Sequence, residues 1–259
     1  MYLTLTDETN RDIGDSTFFL VGGVAVPFAS AEQIHARIDS IRSNHGYLPA
    51  DSFKYARASK PSHVSEDQFN SAKSQALDLC LEFGAKIFLY VCHHLIAENR
   101  TPVEKFQWGS NGMLWQLNGF LNEHGTYSWV LQDRHPVEGE FQYYKQRFTE
   151  SRPSFPNHYH KLNRIIGFGS TCDGASHLSS LADIALGSYR FCINNPSKDI
   201  VNGILLPRLL RATYGFPHCI GSGIAIYPTG EIHKQECKAA YGELCSHIKA
   251  YTDTAQADA

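Results

Sequence analysis

The chain has 259 residues, which is enough for one large domain or two small ones with a substantial core. Hydrophobic residues make up 42% and charged residues 19%, a composition that excludes wholesale disorder. The net charge of −3 does not indicate a nucleic-acid binder, but the charge is uneven. Residues 1–133 hold 10 Lys and Arg against 15 Asp and Glu, whereas residues 134–211 hold 10 against 6. This distribution suits a phosphodiester enzyme and suits an ordinary solvated surface equally well.

The apolar pattern switches between a period of two and a helical period, which predicts alternating strands and helices. The strands are predicted at Leu3–Asp7, Phe18–Pro27, Phe53–Tyr55, Lys86–Cys92, Tyr127–Asp133 and Ile165–Gly169. The helices are predicted at Ala31–Asn44, Ser65–Phe83, Gln107–His124, Glu138–Glu150 and Ala175–Asn194. Ser30 is expected to cap the first helix, and Ser65 with Gln68 is expected to form a capping box on the second.

This alternation predicts an α/β fold with a central mixed sheet flanked by helices. No low-complexity linker divides the chain, so residues 1–251 are predicted to form a single domain and residues 252–259 a disordered tail. The Pro-rich passage at Arg152–Tyr159 is expected to be a surface loop. No apolar stretch approaches the roughly 20 residues of a membrane span, and we expect neither a secretory signal nor a membrane partner.

The seven cysteines are scattered without a C-x-x-C pair, and most have apolar neighbours. Reduced thiols in such surroundings behave as small hydrophobes, which predicts a cytoplasmic protein. A weaker alternative is a soft-metal cluster of His233, Cys237, Cys245 and His247, although its spacing matches no standard zinc pattern. The sequence has neither a glycine-rich phosphate loop nor a nucleophile elbow, which argues against nucleotide-binding and serine-hydrolase motifs.

Acidic residues lie at three places where one metal site can gather them. Asp7 and Glu8 close the first strand, Asp133 closes the strand from Tyr127, and Asp183 lies in an apolar helix. Carboxyl ends of strands form the rim where open α/β sheets bind ligands. A carboxylate on an apolar helix face is costly to bury unless a cation meets it, and a divalent ion suits carboxylates from distant parts of a chain. The sequence therefore predicts a metal site at Asp7, Asp133 and Asp183, with at least one pKa raised by mutual repulsion.

The surroundings of these carboxylates leave alternatives open. Asp7 and Glu8 face opposite sides of a strand, so both reach one metal only if the strand ends there. Asp183 could pair with Arg190, or it could use the space left by small residues at helical spacing, which are Ser176, Ser179, Ser180 and Gly187.

Several further polar residues are predicted to lie near the same rim. Arg134 and His135 follow Asp133 directly and are candidates for substrate binding. His93 and His94 end the strand from Lys86, and either could act as a general acid or base or as a nitrogen ligand. His177 is expected on a different helix face from Asp183.

Five short motifs together carry a resemblance to a known family. They are Asp7-Glu8-Thr9 after a short strand, Phe19–Val26, Phe53-Lys54, an aspartate closing a later strand, and Leu181–Ala185. In this order they resemble the bacterial domain of unknown function 3800, over roughly Leu3 to Asn194. That family is similar to the ribonuclease H fold. Its first motif is more often Asp-Glu-Ser-Gly, and here Thr9 and Asn10 depart from that pattern.

The resemblance implies a ribonuclease H-like domain in which Asp7, Asp133 and Asp183 bind metal, Glu8 assists and Lys54 contacts phosphate. Two divalent ions about 4 Å apart can activate water and stabilise a leaving oxygen, and carboxylate ligation suits Mg²⁺ or Mn²⁺. Arg134 or Lys54 could stabilise the developing charge. We therefore expect a metal-dependent nuclease or related phosphodiesterase acting on RNA or DNA. The alternative is a non-catalytic regulatory module on the same fold that binds nucleic acid or a protein.

Overall fold

The computed structural model of the protein describes residues 1–9, 16–133, 140–150, 152–154, 158–171, 175–201, 205–227 and 235–257. Within these ranges the strands are β1 (Tyr2–Thr9), β2 (Phe18–Pro27), β3 (Lys86–His93), β4 (Ser128–Asp133), β5 (Arg152–Ser154), β6 (His158–His160), β7 (Ile165–Thr171) and β8 (Ile224–Tyr227). The α-helices are α1 (Ala31–Asn44), α2 (Glu66–Glu82), α3 (Pro102–Glu123), α4 (Glu140–Thr149), α5 (His177–Asn194), α6 (Leu206–Ala212) and α7 (Gln235–Ala257).

Six of the described strands form one sheet in the order β7-β4-β1-β2-β3-β8. Strand β2 is antiparallel to both neighbours, whereas the β1–β4, β4–β7 and β3–β8 pairs are parallel. The sheet is therefore mixed, and the predicted α/β class is confirmed. All strands of this sheet except β2 run in one direction, so their carboxyl ends lie at one edge, which we call the carboxyl edge.

Helices cover both faces of the sheet. Successive residues of β2 show this, because side chains alternate between the faces of a strand. A Cβ atom placed on Gly22 would lie 2.5 Å from Leu186 of α5, whereas one placed on Gly109 of α3 would lie 2.3 Å from Val21. Helices α5 and α3 thus pack on opposite faces, and the apolar residues of β1, β2 and β3 fill two cores between them.

The early elements match the sequence pattern more closely than the late ones do. Helix α3 begins at Pro102 rather than Gln107, because Thr101 and Glu104 form a capping box there. The expected strand at Phe53–Tyr55 is a loop, and part of the expected loop at Arg152–Tyr159 is the hairpin of β5 and β6. The sequence pattern did not predict α6, β8 or α7.

The predicted tail is also corrected, because α7 continues through Thr252 to Ala257. Thr252 is buried, and its hydroxyl donates to the carbonyl of Lys249 in the preceding turn of the same helix. None of the helices in the described ranges is long and apolar enough to cross a bilayer. A single domain over 1–251 stays a prediction.

Candidate functional site

Asp7 and Asp133 lie on adjacent parallel strands at the carboxyl edge. The register pairs Thr6 of β1 with Gln132 of β4, so the next residues on each strand are the two aspartates. The Thr6 hydroxyl donates to the Gln132 side chain on one face of the sheet. Because side chains alternate, both aspartates project from the other face. The strand that carries Asp7 therefore lies directly beside the strand that ends at Asp133.

Helix α5 brings Asp183 to this same face. Asp7 pairs with Gly22, and Gly22 has no side chain where Leu186 of α5 packs against the sheet. Leu186 follows Asp183 by three residues, which places both on one side of the helix. One turn earlier, the Ser179 hydroxyl lies 3.3 Å from the hydroxyl of Thr171, the residue that pairs with Asp133. Asp183 is therefore anchored beside the strand ends that carry the other two aspartates.

The charges of these carboxylates interact. The pKa of Asp7 is raised well above its usual range, first because the group is buried and then because of the negative charges of Asp183, Glu8 and Asp133. The hydrogen bond from the Glu8 backbone N–H to Asp7 Oδ1, at 2.8 Å, opposes part of this shift. The expected rise of at least one pKa is confirmed, with burial as the larger cause.

Glu8 projects from the opposite face of the sheet. Strand β1 does not end at Asp7 but continues to Thr9, and Glu8 keeps its register with Val21, whose side chain meets α3. The condition under which Asp7 and Glu8 could both reach one metal is therefore not met. Glu8, the next residue along the strand, affects Asp7 through its negative charge, which raises the pKa of Asp7.

The loop before α2 holds Asp183 in place. The backbone N–H of Tyr55 donates to Asp183 Oδ2 at 2.6 Å. This approach requires Gly187, because a Cβ there would lie 2.4 Å from the Cβ of Tyr55. The small residue at position 187 thus makes room for protein, not for a ligand. Lys54, next in the loop, lines a cavity together with Asp183.

That cavity has a volume of about 320 Å³ and is lined by two functional side chains, Arg42 and His177, that are not among the predicted site residues. Arg42, at the end of α1, is buried, and its Nη1 lies 3.4 Å from Nε2 of His177. His177 lines the same cavity as Asp183, although six helical positions point the two side chains about 120° apart. A signal for Arg42 existed in the sequence, because it follows Ile38 by one helical turn and so falls on the apolar stripe of α1.

The pKa of His177 is lowered, first by burial and then by the charges of Arg42 and His35, while Asp39 acts in the opposite direction. His177 is therefore neutral at pH 7. The positive charge in this cavity comes from Arg42 and Lys54.

His93 and His94, the described histidines at the end of β3, form no metal-binding group with the carboxylates. His93 and His94 are buried against the rings of Phe18 and Phe19. In the alternative soft-metal cluster, His233 lies outside the described residues, as do the substrate-binding candidates Arg134 and His135. Among the residues that the structure describes, no three His, Cys, Asp or Glu side chains stand close enough together to hold a metal ion.

No protein-family model matches the chain, and no curated protein matches it. Among solved structures, Bst-RNase HIII in complex with Mn²⁺ aligns at a TM-score of 0.40 and 10% identity, over 82% of this chain and 62% of that chain. A point mutant of Bst-RNase HIII aligns at 0.37 and 12%, with the same coverage. The chain thus spans about 62% of the length of these neighbours.

Proposed function

We propose that the protein is a metal-dependent nuclease or related phosphodiesterase that hydrolyses RNA or DNA. The observation that carries the proposal is the gathering of three aspartates from separate parts of the chain. Asp7, Asp133 and Asp183 lie on one face of the carboxyl edge, and Asp183 lines the cavity that holds the cations Arg42 and Lys54. An acidic group for metal beside a basic group for phosphate is the combination that phosphodiester hydrolysis needs.

The residues present fit a divalent cation. Asp7, Asp133 and Asp183 offer oxygen ligands, which Mg²⁺ and Mn²⁺ prefer. The pKa of Asp7 is raised partly by the neighbouring carboxylates, and a cation would offset that repulsion. When bound, such ions activate water and offset the negative charge that develops on the phosphate. Because like charges hold carboxylates apart, closer approach of the three side chains requires the cation.

Each polar residue of the site has a proposed role. Asp7, Asp133 and Asp183 hold the metal, and the Tyr55 N–H orients Asp183. Lys54 contacts a substrate phosphate from the cavity wall. Glu8 assists through its charge on Asp7 rather than as a ligand.

Three assignments rest on the sequence. Arg134 and His135, which follow Asp133, are proposed to bind substrate. Membership of the domain of unknown function 3800 family is proposed from the sequence motifs. A cytoplasmic location is proposed from the scattered cysteines, and none of the six that are described forms a disulfide.

One observation favours the second candidate, a non-catalytic module that binds nucleic acid or a protein partner. As the side chains stand, the described residues contain no group of three ligands at metal-binding spacing. A module of this kind would keep the cavity cations but would not need the carboxylates to close on an ion.

Calorimetry with Mn²⁺ tests the metal site. We expect Asp183→Asn to weaken binding by about 100-fold, because loss of a direct ligand costs at least as much as loss of an outer-shell partner. The matched control is Asp67→Asn, an exposed carboxylate in the first turn of α2, which should bind as wild type does. Equal affinity in Asp183→Asn and wild type would contradict the metal assignment.

Turnover tests the activity. Labelled RNA and DNA, single- and double-stranded, are incubated with Mg²⁺ or Mn²⁺ and wild type, Asp7→Asn or Asp133→Asn. We expect cleavage by wild type and its loss in both variants, with substrate binding changed much less than rate. Binding without cleavage of any substrate by wild type would favour the non-catalytic module.

A further inference from the structure

The cavity beside Asp183 is built around a buried cation. It lies between the first turns of α5, the end of α1 and the loop that carries Lys54, and about 320 Å³ is within the range of small-ligand sites. Arg42 is only 6% exposed, and its Nη2 donates to the carbonyl oxygens of Leu48, Pro49 and Asp51 at 3.1, 3.3 and 2.7 Å. These bonds hold the guanidinium in one place at the cavity wall.

The charge of Arg42 is only weakly compensated by these neighbours. Carbonyl oxygens orient the guanidinium without neutralising it, and Asp39 Oδ1 lies 3.8 Å from Nη1 on a side chain that is 61% exposed. No described residue accepts a hydrogen bond from the buried Nε. A buried guanidinium in this state is stabilised by an anion that brings further acceptors.

The other walls of the cavity also favour an anion. The 18-residue helix α5 begins here, so the positive end of its dipole and its first-turn residues Ser176 and Ser180 border the space. Lys54 adds a second cation. Of the two carboxylates in the wall, Asp51 already accepts from the Leu48 N–H and from His63, and Asp183 accepts from the Tyr55 N–H.

We propose that this cavity is a phosphate-binding subsite, which takes one phosphate of a nucleic-acid strand next to the phosphodiester held at the three aspartates. The inference rests on the proposed function, because Asp183 belongs both to the cavity wall and to the proposed metal site. Arg42 supplies the fixed charge, the start of α5 supplies the dipole, and Ser180 forms part of the cavity wall. The subsite sets which bond of the strand reaches the metal.

Two kinds of variant test the subsite with binding as the readout. Arg42→Met removes the charge but also three bonds to carbonyls, so its fold is checked by circular dichroism and thermal melting. Ser180→Glu leaves those bonds intact and adds a negative charge to the cavity wall. Ser180→Gln, which has the same size without the charge, is its matched control. Arg37→Met is the control for Arg42, because Arg37 lies on the same helix but is exposed and paired with Glu82.

Two probes are used. Binding of inorganic phosphate is measured by calorimetry. Binding of a fluorescein-labelled strand of about 12 nucleotides, as RNA and as DNA, is measured by fluorescence anisotropy in Ca²⁺ at several salt concentrations. A gel confirms that the strand stays intact. For Arg42→Met and Ser180→Glu we expect at least about tenfold weaker binding of both probes, and the slope of log affinity against log salt should fall by about 0.7, the value for one lost phosphate contact on a single strand. Both control variants should match wild type.

The subsite is overturned if Ser180→Glu and a folded Arg42→Met both bind the probes with the affinity and salt dependence of wild type. This holds even if Mn²⁺ binding and turnover confirm the nuclease. Loss of inorganic phosphate binding alone, with the strand bound as before, would overturn the strand assignment and show a site for small free phosphates. If wild type neither binds Mn²⁺ nor cuts any strand, but both variants lose strand affinity, the proposed function fails while the phosphate subsite stands.

Discussion

Replacing Asp7 by Asn should make the metal-free protein more stable while removing its metal site. The Asn side chain keeps an oxygen that can accept the 2.8 Å bond from the Glu8 N–H, so the change removes mainly the charge. Burial and three nearby carboxylates raise the pKa of Asp7, which means that its ionised form is disfavoured in the folded state. Stability should therefore rise when the charge is lost.

The magnitude follows from the strand geometry. Adjacent strands lie about 4.8 Å apart, and two unit charges about 5.5 Å apart repel by about 3 kcal/mol at an effective dielectric constant of about 20. The Asp7 carboxyl is buried, but the residue as a whole is only half-buried at the edge of the sheet, so screening by nearby solvent and salt reduces this value. We expect Asp7→Asn to raise the free energy of unfolding by about 1 to 2 kcal/mol at pH 7, and Tm by about 3 to 6 °C in EDTA.

The raised pKa of Asp7 also fixes the direction in which stability changes with pH. A carboxyl whose folded pKa is raised binds a proton in the folded state over a pH range in which the unfolded state has lost it. The wild type should therefore lose stability as pH rises from the usual Asp range near 4 towards the raised pKa, and Asp7→Asn should lack this part of the loss.

Thermal and urea unfolding in EDTA and in Mn²⁺ provide the assay, with Asp67→Asn as the control. A ligand present at about 100 times its Kd stabilises the folded state by about 2.7 kcal/mol, so Mn²⁺ should reverse the order and make wild type the more stable protein. If Asp7→Asn is less stable than wild type in EDTA at pH 7, the carboxylate is not repelled and the reasoning is refuted.

Three further predictions concern residues around the site. Gly187→Ala should cost about 1 to 3 kcal/mol of stability by urea unfolding, because its Cβ would overlap Tyr55; Gly242→Ala on α7, with no described atom in reach, should instead gain about 0.5 to 1 kcal/mol. Burial lowers the pKa of Lys73 from 10.5 to about 8, so the protein should gain stability as pH rises between these two values, where the unfolded chain binds more protons; NMR of ¹³C-methylated lysines checks the pKa, and an ordinary value would contradict this. Glu8→Gln should change Mn²⁺ affinity in calorimetry far less than Asp183→Asn does, because the Glu8 side chain projects from the opposite face of the sheet and acts on Asp7 only through its charge.

Local pattern was sufficient for the elements that build the sheet centre. Strand β2 and helix α1 have the bounds expected from their apolar runs, because buried strands and amphipathic helices leave a direct periodic signal. Elements after Asn194 were not predicted. Strand β8 is only four residues long, and its place beside β3 depends on a pairing such as Leu89 with Ile224, between distant parts of the chain. Short segments of this kind carry too few side chains for a period to show.

The sequence by itself determined which residues of the site are chemically capable. It identified three aspartates at strand ends or on an apolar helix, because carboxylates in such places require partners. Lys54 was named through the family resemblance and was expected on a strand, not in a loop. Only the tertiary structure decided which of them meet. The register of β1 with β4 places Asp7 and Asp133 on one face and Glu8 on the other, and packing of α5 on Gly22 brings Asp183 to them. The spacing of Arg42 from Ile38 indicates that Arg42 is buried, but which residues it meets depends on how α1 packs against distant segments of the chain.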